Sequence, residues 1–411
     1  MTGFLTLCIL TAGYSLVAKR MSSMIITAPM IFIFLGTAFS LGGLVTPETG
    51  EALLHPVAEV ALVILLFLDA AQTDWTALRH RSVWPRRMLL IGLPTTIAIG
   101  AVAAALLFPA WSIAAAALAA AILAPTDAAL GQAVVTNEAV PIRPRRALTV
   151  ESGLNDGLAL PAVLLFAALE TASEAQDSVE WLIFGGKQIL LGPVAGVIIG
   201  TIGGWALLRA KAAGSTSETY EGVGALALAG SAYLGAALIG GNGFIAAFVA
   251  GLAFGAVVKG ACKFVYEFTE SEGQLLTWAA FFLLGVVLVP DAIAHLTLPM
   301  LALILLSLFI IRPAAIWLSL LGTDARPVTK LFFGWFGPRG LATALFALLV
   351  MEQLPHALGE SIIHLAINAV WISALLHGVT AAPGARWYAA KIRQMAPCAE
   401  TNLDTPVKDT P

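Results

Sequence analysis

The chain has 411 residues, 59% of them hydrophobic and 11% charged. A soluble domain carries about a quarter charged residues, so this composition, with a mean hydropathy of +0.89, excludes an ordinary soluble enzyme and indicates a membrane protein. The formal net charge of -3 offers no basic field for nucleic acid, and Cys8, Cys262 and Cys398 lie too far apart for a CxxC metal site or a disulfide framework.

A spanning helix takes about 20 apolar residues. Thirteen stretches qualify: residues 3–18, 24–45, 52–72, 88–108, 111–136, 147–169, 182–208, 220–240, 242–258, 274–290, 296–321, 331–351 and 361–382. The first has no basic residue ahead of it and no small-x-small cleavage site, and it reads as a retained helix rather than a signal peptide. The tight "GGNG" turn at 240–243 would also allow the eighth and ninth spans to form one hairpin-like unit.

Basic residues test this map, because cytoplasmic loops are enriched in Lys and Arg. Lys19 and Arg20 follow span 1; Arg79, Arg81, Arg86 and Arg87 follow span 3; Arg143, Arg145 and Arg146 follow span 5. Arg209 and Lys211, Lys259 and Lys263, Arg326 and Lys330, and finally Arg386, Lys391, Arg393 and Lys408 follow spans 7, 9, 11 and 13. The even-numbered loops carry acids and histidines instead, such as Glu170, Glu174, Asp177 and Glu180. The alternation predicts an all-α polytopic protein of a cell (inner) membrane, N-terminus outside and C-terminus cytoplasmic. The polar chain after residue 384 is expected to be a short disordered tail. Three basic residues stand apart. Lys187 lies near a span end and can snorkel, whereas Arg312 and Arg339 fall inside apolar spans and need partners.

Ionisable groups inside a span are costly and mark function. In span 5, "ILAPTDAALG" places Pro125, Thr126 and Asp127 in mid-membrane. Pro125 removes a helical hydrogen bond, and freed carbonyls are tolerated there only where they line a cavity or bind something. In span 6, "ESGLNDG" carries Glu151, Ser152, Asn155 and Asp156. At about 100° per residue all four share one arc, with Gly153, Leu154 and Gly157 opposite. Carboxylate, hydroxyl and carbonyl oxygens are what a hard cation such as Na+ requires. In span 12, "GWFGPRGLATALF" surrounds Arg339 with Gly337, Pro338 and Gly340 and predicts a second break. Interrupted helices in corresponding positions of two halves point to an inverted-repeat transporter. Spans 1–6 and 8–13 would be the repeats, span 7 the connector, and spans 5 and 12 the interrupted, crossing helices. Glu151, near the predicted start of span 6 and close to Arg143, Arg145 and Arg146, could instead serve only the helix end. Asp69 and Glu59 in span 3 read as pore-lining or interfacial. The GxxxG spacings Gly196–Gly200 and Gly251–Gly255 are weak signals.

Together these motifs resemble those of the monovalent cation:proton antiporter family, in its sodium/proton exchanger, NhaP-like branch. "ESGLNDG" resembles that family's Glu-Ser-x-x-Asn-Asp-Gly segment, "APTDAALG" its Thr-Asp segment, "GPRGLAT" its Gly-x-Arg-Gly segment, and "LLHGVT" at 375–380 its Gln-Gly-x-Thr element. The likeness extends over residues 1–385 and leaves 386–411 as tail. It implies that Asp156 alternates between cation and proton, with Asp127, Thr126 and Ser152 completing the cation shell. It implies that Arg339 pairs with Glu151, and that Asn155, an aspartate in electrogenic relatives, makes the exchange electroneutral. It further implies a homodimer in the bilayer, with a dimerisation part (spans 1–3 and 7–10) and a moving core (spans 4–6 and 11–13). No cofactor is implied beyond transported Na+ (or Li+ or K+) and H+, and the role would be pH and sodium homeostasis. His377 stands where the family has glutamine and Pro338 where leucine is common; neither is expected to touch the ligands. The competing readings are an intramembrane aspartyl protease using Asp127 and Asp156, and a cation channel.

Overall fold

The structure is a computed structural model that describes residues 2–21, 27–45, 47–72, 83–174, 178–259, 261, 263–395 and 398–401. Arg79, Arg81, Asp177, Cys262 and Lys408, used above to read the sequence, lie outside the described residues. Among the described residues every regular element is helical, as expected for backbone that must satisfy itself in lipid. In chain order these are α1 (Thr2–Met21), α2 (Ala28–Leu41), α3 (Pro47–Ala71), α4 (Val83–Leu107), α5 (Ile113–Ile122), α6 (Ala128–Val135), α7 (Ile142–Glu174) and α8 (Ser178–Ala212). They continue with α9 (Glu218–Leu238), α10 (Gly243–Val258), α11 (Lys263–Val287), α12 (Val289–Ala294), α13 (Leu298–Ser319), α14 (Pro327–Trp335), α15 (Leu341–Met351) and α16 (His356–Arg393). Seven of them (α3, α4, α7, α8, α9, α13 and α16) contain segments long and apolar enough to cross a membrane, by length and composition.

Span 5 is broken between α5 and α6, and span 12 between α14 and α15, at the Pro125 and Gly337–Gly340 signals. The α9–α10 pair is a hairpin of two separate helices. Gly240 takes φ +79° in its turn, and Asn242 caps α10 by accepting from the Ile245 N–H at 3.0 Å. Two five-residue π-turns, Met88–Gly92 in α4 and Ser307–Ile311 in α13, are each followed two residues later by a proline, Pro94 and Pro313. These turns widen the two helices where α4 and α13 pack together.

One group of helices is joined backbone to backbone. α10 packs between α8 and α3. A Cβ at Gly196 would lie 2.5 Å from the Ala246 carbonyl, and one at Gly200 would overlap that of Ala250. On the other face of α10, side chains at Gly251 and Gly255 would overlap the carbonyls of Phe67 and Ala71 in α3. Both GxxxG pairs that were weak signals in the sequence are therefore close-approach seams.

The remaining polar loops gather at two opposite ends. At one, Arg143 reaches Asp324 at 2.6 and 3.1 Å and lies over the Trp84 ring at 3.8 Å. Trp84 Nε1 donates to the same carboxylate at 2.7 Å. Among the described residues, the chain after residue 384 is ordered where its polarity suggested a disordered tail. α16 runs on to Arg393, and Cys398–Thr401 is seated at this end. Glu400 is fully buried, accepting from Thr329 Oγ1 at 2.8 Å and the Arg326 N–H at 3.1 Å. Arg143 also donates to the Ala399 carbonyl at 3.0 Å. A buried carboxylate needs such donors, and they hold the segment in place. At the other end Ser112 pairs with Glu170, Thr171 donates to the Gln353 carbonyl, and Asp291 meets His364.

Gly255→Ala should lower the thermal stability of purified protein by about 1–3 kcal/mol, because the new methyl meets backbone that cannot turn away. Gly230→Ala in α9, where nothing lies within 4 Å, should be neutral or stabilising by about 0.5–1 kcal/mol. Equal effects of the two, read as melting shifts in detergent, would contradict the seam.

Candidate functional site

The two breaks meet at mid-protein and satisfy each other. α5 ends at Ile122, and the carbonyls of its last turn and of the following loop point on without helical partners. Arg339 supplies the donors, its Nη1 giving hydrogen bonds to Ala124 O at 2.9 Å and Pro125 O at 3.1 Å, and its Nη2 one to Ser307 Oγ at 3.1 Å. α15 begins at Leu341, and its N–H donates to Asp127 Oδ2 at 2.9 Å. The chains also bond directly, Asp127 N–H to Pro338 O at 2.8 Å. A guanidinium at a helix C-terminus and a carboxylate at a helix N-terminus are each the favourable sign for the helix dipole. Gly340 is required, since any side chain there would overlap Asp127 Oδ2.

α7 passes beside this crossing. Asn155 Nδ2 donates to Thr126 Oγ1. That hydroxyl also lies 3.3 Å from Ser152 Oγ and 3.4 Å from Glu151 Oε2. Glu151, Ser152 and Asn155, three of the four residues placed on one helical arc, thus join Thr126 of the break in one buried hydrogen-bonded group. Asp156, one residue on, carries a buried Oδ1 without a hydrogen-bond partner, as does the Asn155 Oδ1. The charges of Asp127, Asp69 and Glu151 all reach Asp156. On the opposite face of α7, Gly153 faces Asp69 of α3, and the Phe248 ring of α10 fills the space left by Gly157.

Three expectations are corrected. Arg339 is not the partner of Glu151. Arg312 is, through two hydrogen bonds at 3.1 Å between side chains 3% and 4% exposed. The reason is steric and electrostatic together. Gly337 has no side chain, and a Cβ there would overlap the Arg312 guanidinium, so Arg312 can reach across to α7 while Arg339 is held by the carbonyls of the break. Nor does Glu151 serve a helix end, because α7 begins at Ile142, more than two turns earlier, and Arg143 is engaged by Asp324. Finally, Pro338 does touch an expected ligand, through its backbone carbonyl, whereas His377 touches none and stands one contact from Arg339. Pro338 supplies the carbonyl that receives the Asp127 N–H. His377 Nε2 lies 2.8 Å from Trp335 O and its Nδ1 3.1 Å from Ser373 Oγ, and that hydroxyl accepts from the Arg339 N–H at 2.7 Å.

Against this geometry, known proteins give a consistent picture. A sequence model of the family described as "Sodium/hydrogen exchanger, transmembrane" matches residues 5–387. The chain belongs to that family. Similar relatives include the K(+)/H(+) antiporter NhaP2 of Shewanella sp. (strain ANA-3), 28% identical over 92% of this chain and 65% of its own length. The K(+)/H(+) antiporter NhaP of Alkalimonas amylolytica is 28% identical over 91% of this chain and 64% of its own. The chain thus spans about two thirds of the length of these curated relatives. Among solved structures, the sodium proton antiporter MjNhaP1 from Methanocaldococcus jannaschii superposes with a TM-score of 0.79, covering 95% of this chain and 98% of that one at 21% identity. At that identity the likeness establishes a common fold.

Within this exchanger family fold, sequence reasoning left two acids unassigned. Asp69 is brought to the glycine face of α7 at the site, which its place in an apolar helix had hinted at. Glu59, with His55, Tyr233, Phe244 and Leu345, lines a small cavity of about 100 Å³.

The Arg312 assignment has a direct test. Arg312→Ala should destabilise the protein by about 3–5 kcal/mol, since it leaves Glu151 buried and unpaired. Adding Glu151→Gln should restore much of that loss. The same addition should not rescue Arg339→Ala, whose cost comes from orphaned carbonyls. Rescue of Arg339→Ala but not of Arg312→Ala, in melting experiments, would reverse the pairing.

Proposed function

We propose that the protein exchanges a monovalent cation for a proton across a cell membrane, with Asp156 binding one or the other. The observation that carries this reading is the buried, unpartnered Oδ1 of Asp156 beside the unwound Pro125–Asp127 segment. Around it are the kinds of oxygen a hard cation takes: the carboxylate of Asp127, the hydroxyl of Ser152, and the hydroxyl or backbone carbonyl of Thr126. Protonation of Asp156 removes the charge that holds the cation, so the two substrates exclude each other. Either loaded form crosses by alternating access around a fixed midplane site.

Electroneutral 1:1 exchange follows from Asn155, which gives the site an amide where a second carboxylate would add a charge. The Arg312–Glu151 pair is internally neutral and adds none. The relatives' names specify K+ and the structural neighbour's specifies Na+, and this site's oxygens suit either. Na+ is the first expectation, with K+ and Li+ as the alternatives. A role in pH and sodium homeostasis accords with that chemistry.

The wider architecture supports thirteen crossings in two inverted repeats. Besides the paired breaks, the π-turn-then-proline pattern recurs in α4 and α13, the fourth and eleventh spans, seven apart as the repeat requires. The meeting of Arg143, Asp324, Arg326 and Glu400 at one end supports placing the odd-numbered loops and the C-terminus together on the cytoplasmic side. The backbone-joined group α3, α8 and α10 fits the dimerisation part of a homodimer, and the crossing group fits the mobile core. An aspartyl protease is disfavoured, because Asp127 Oδ2 is engaged by the Leu341 N–H rather than facing a second acid across a scissile bond.

In proteoliposomes with an imposed pH gradient, wild-type protein should show cation-dependent proton flux, and Asp156→Asn should abolish it. Ordinary exchange by Asp156→Asn would refute the assignment. Adding Na+, Li+ and K+ in turn ranks the cations. An initial rate that changes steeply with imposed membrane potential would rule out the 1:1 stoichiometry, and flux that persists without proton coupling would favour a channel.

A further inference from the structure

We propose that Asp291, His295 and His364 form a binding site for a borderline transition-metal ion, of the Zn2+, Ni2+ or Cu2+ class, at the end of the protein opposite Arg143 and Glu400. Asp291 lies in α12 and His295 directly after it, in the connection between α11 and α13, while His364 lies in the third turn of α16. The three converge from two separate elements. His364 Nε2 is 2.8 Å from Asp291 Oδ2 and His295 Nδ1 is 3.1 Å from Asp291 Oδ1. The two imidazoles lie parallel, 4° apart with centroids separated by 4.7 Å. One nitrogen from each ring and one carboxylate oxygen all fall within 4.8 Å of one another.

Two imidazoles and a carboxylate are the donor set of three-ligand zinc sites, with a fourth position left to water. Metal–nitrogen bonds of about 2.0–2.1 Å would bring such atoms to roughly 3.4 Å apart. The closure needed is at most about 1.4 Å, within the reach of Asp291 and His295, whose side chains are 59% and 58% exposed. Hard cations are not the match: Ca2+ and Mg2+ take oxygen ligands, and imidazole selects the later transition metals.

The backbones that carry these ligands are held to one another. Asn368, one turn beyond His364 and fully buried, donates to the Ala292 carbonyl at 2.6 Å and to the His364 carbonyl at 2.9 Å. Trp371 Nε1 in turn donates to Asn368 Oδ1 at 2.8 Å and fixes the amide. A support of this kind holds ligands near binding geometry before the ion arrives. α12 packs against α2 as well as α16, so a bound ion would tie the connection between α11 and α13 to the final helix. By the charge alternation this is the outer face, where the ion has access from outside the cell.

The test does not depend on transport. Protein purified without a polyhistidine tag and stripped with EDTA is titrated with ZnCl2 by calorimetry, and its melting temperature is followed in parallel. The expected result is saturable binding of one Zn2+ per chain with a rise in melting temperature, since an ion bound only to the folded state stabilises it. His295→Ala and Asp291→Asn, both exposed and expected to melt like wild type in EDTA, should each weaken binding by at least about tenfold, and His295→Ala with His364→Ala should abolish it. Absence of saturable binding at micromolar Zn2+ in the wild type, or undiminished one-to-one binding in the double variant, overturns the proposal.

Discussion

The structure depends on how it satisfies backbone that cannot be helical. Two chains are unwound in the middle of an apolar protein, and each would leave several orphan peptide groups at a cost of several kcal/mol apiece. The crossing meets this by exchange. Arg339, from the break after α14, takes the carbonyls that follow α5, and Asp127, from the break after α5, takes the first N–H of α15. Each break carries the charged side chain that the other requires. Neither half-helix end is stable alone, so the two breaks specify their own crossing point. Gly340 belongs to this arrangement because the carboxylate occupies the space of its missing side chain.

The buried Glu151–Arg312 pair stands on that crossing. An ion pair out of water is worth little net stability against well-packed apolar residues, but losing one partner is severe. Its value lies in geometry. Arg312 follows the π-turn of α13 and passes over Gly337, so the pair joins α7 to α13 beside the break. Glu151 then reaches Thr126, and Thr126 holds Asn155 and Ser152. Oxygen donors for Asp156's surroundings are ordered by a chain of hydrogen bonds that begins at a neutral pair.

Much of this was legible in the residues. Hydropathy located the helices, because about 20 apolar residues leave few alternatives. Pro125 and the Gly337–Gly340 run located the breaks, because both remove helical hydrogen bonds or helical preference. The arc of Glu151, Ser152, Asn155 and Asp156 follows from helical geometry alone. What remained hidden depends on distance in space. Arg312 and Arg339 are both single basic residues in apolar spans, and nothing local distinguishes which one reaches Glu151; the resemblance assigned the wrong one. The answer lies in Gly337, whose significance is visible only with the guanidinium against it. The polar C-terminal chain misled for a related reason. Its composition argues for disorder, yet Glu400 finds Thr329 and Arg326, which are more than 70 residues away. Asp291, His295 and His364 are likewise unremarkable until α12 is laid against α16.

The glycines of α7 complete the division of labour along that helix. Its polar arc is bound into the crossing, whereas Gly153 and Gly157 face α3 and α10 with no side chains of their own. The neighbours on that side belong to the group joined through the Gly196–Gly200 and Gly251–Gly255 seams, which is backbone-tight and ill suited to internal movement. In the proposed exchange, α7 stands at the boundary between the moving part and the static one. Side chains interlocked across that boundary would have to be unpacked in every cycle, because packed interfaces shift between discrete arrangements rather than deform continuously. In the proposed exchange, the face that binds the ion travels with the crossing, and the glycine face supplies the surface over which it travels. In the same proposal Asp69, set against Gly153, stands on the static side.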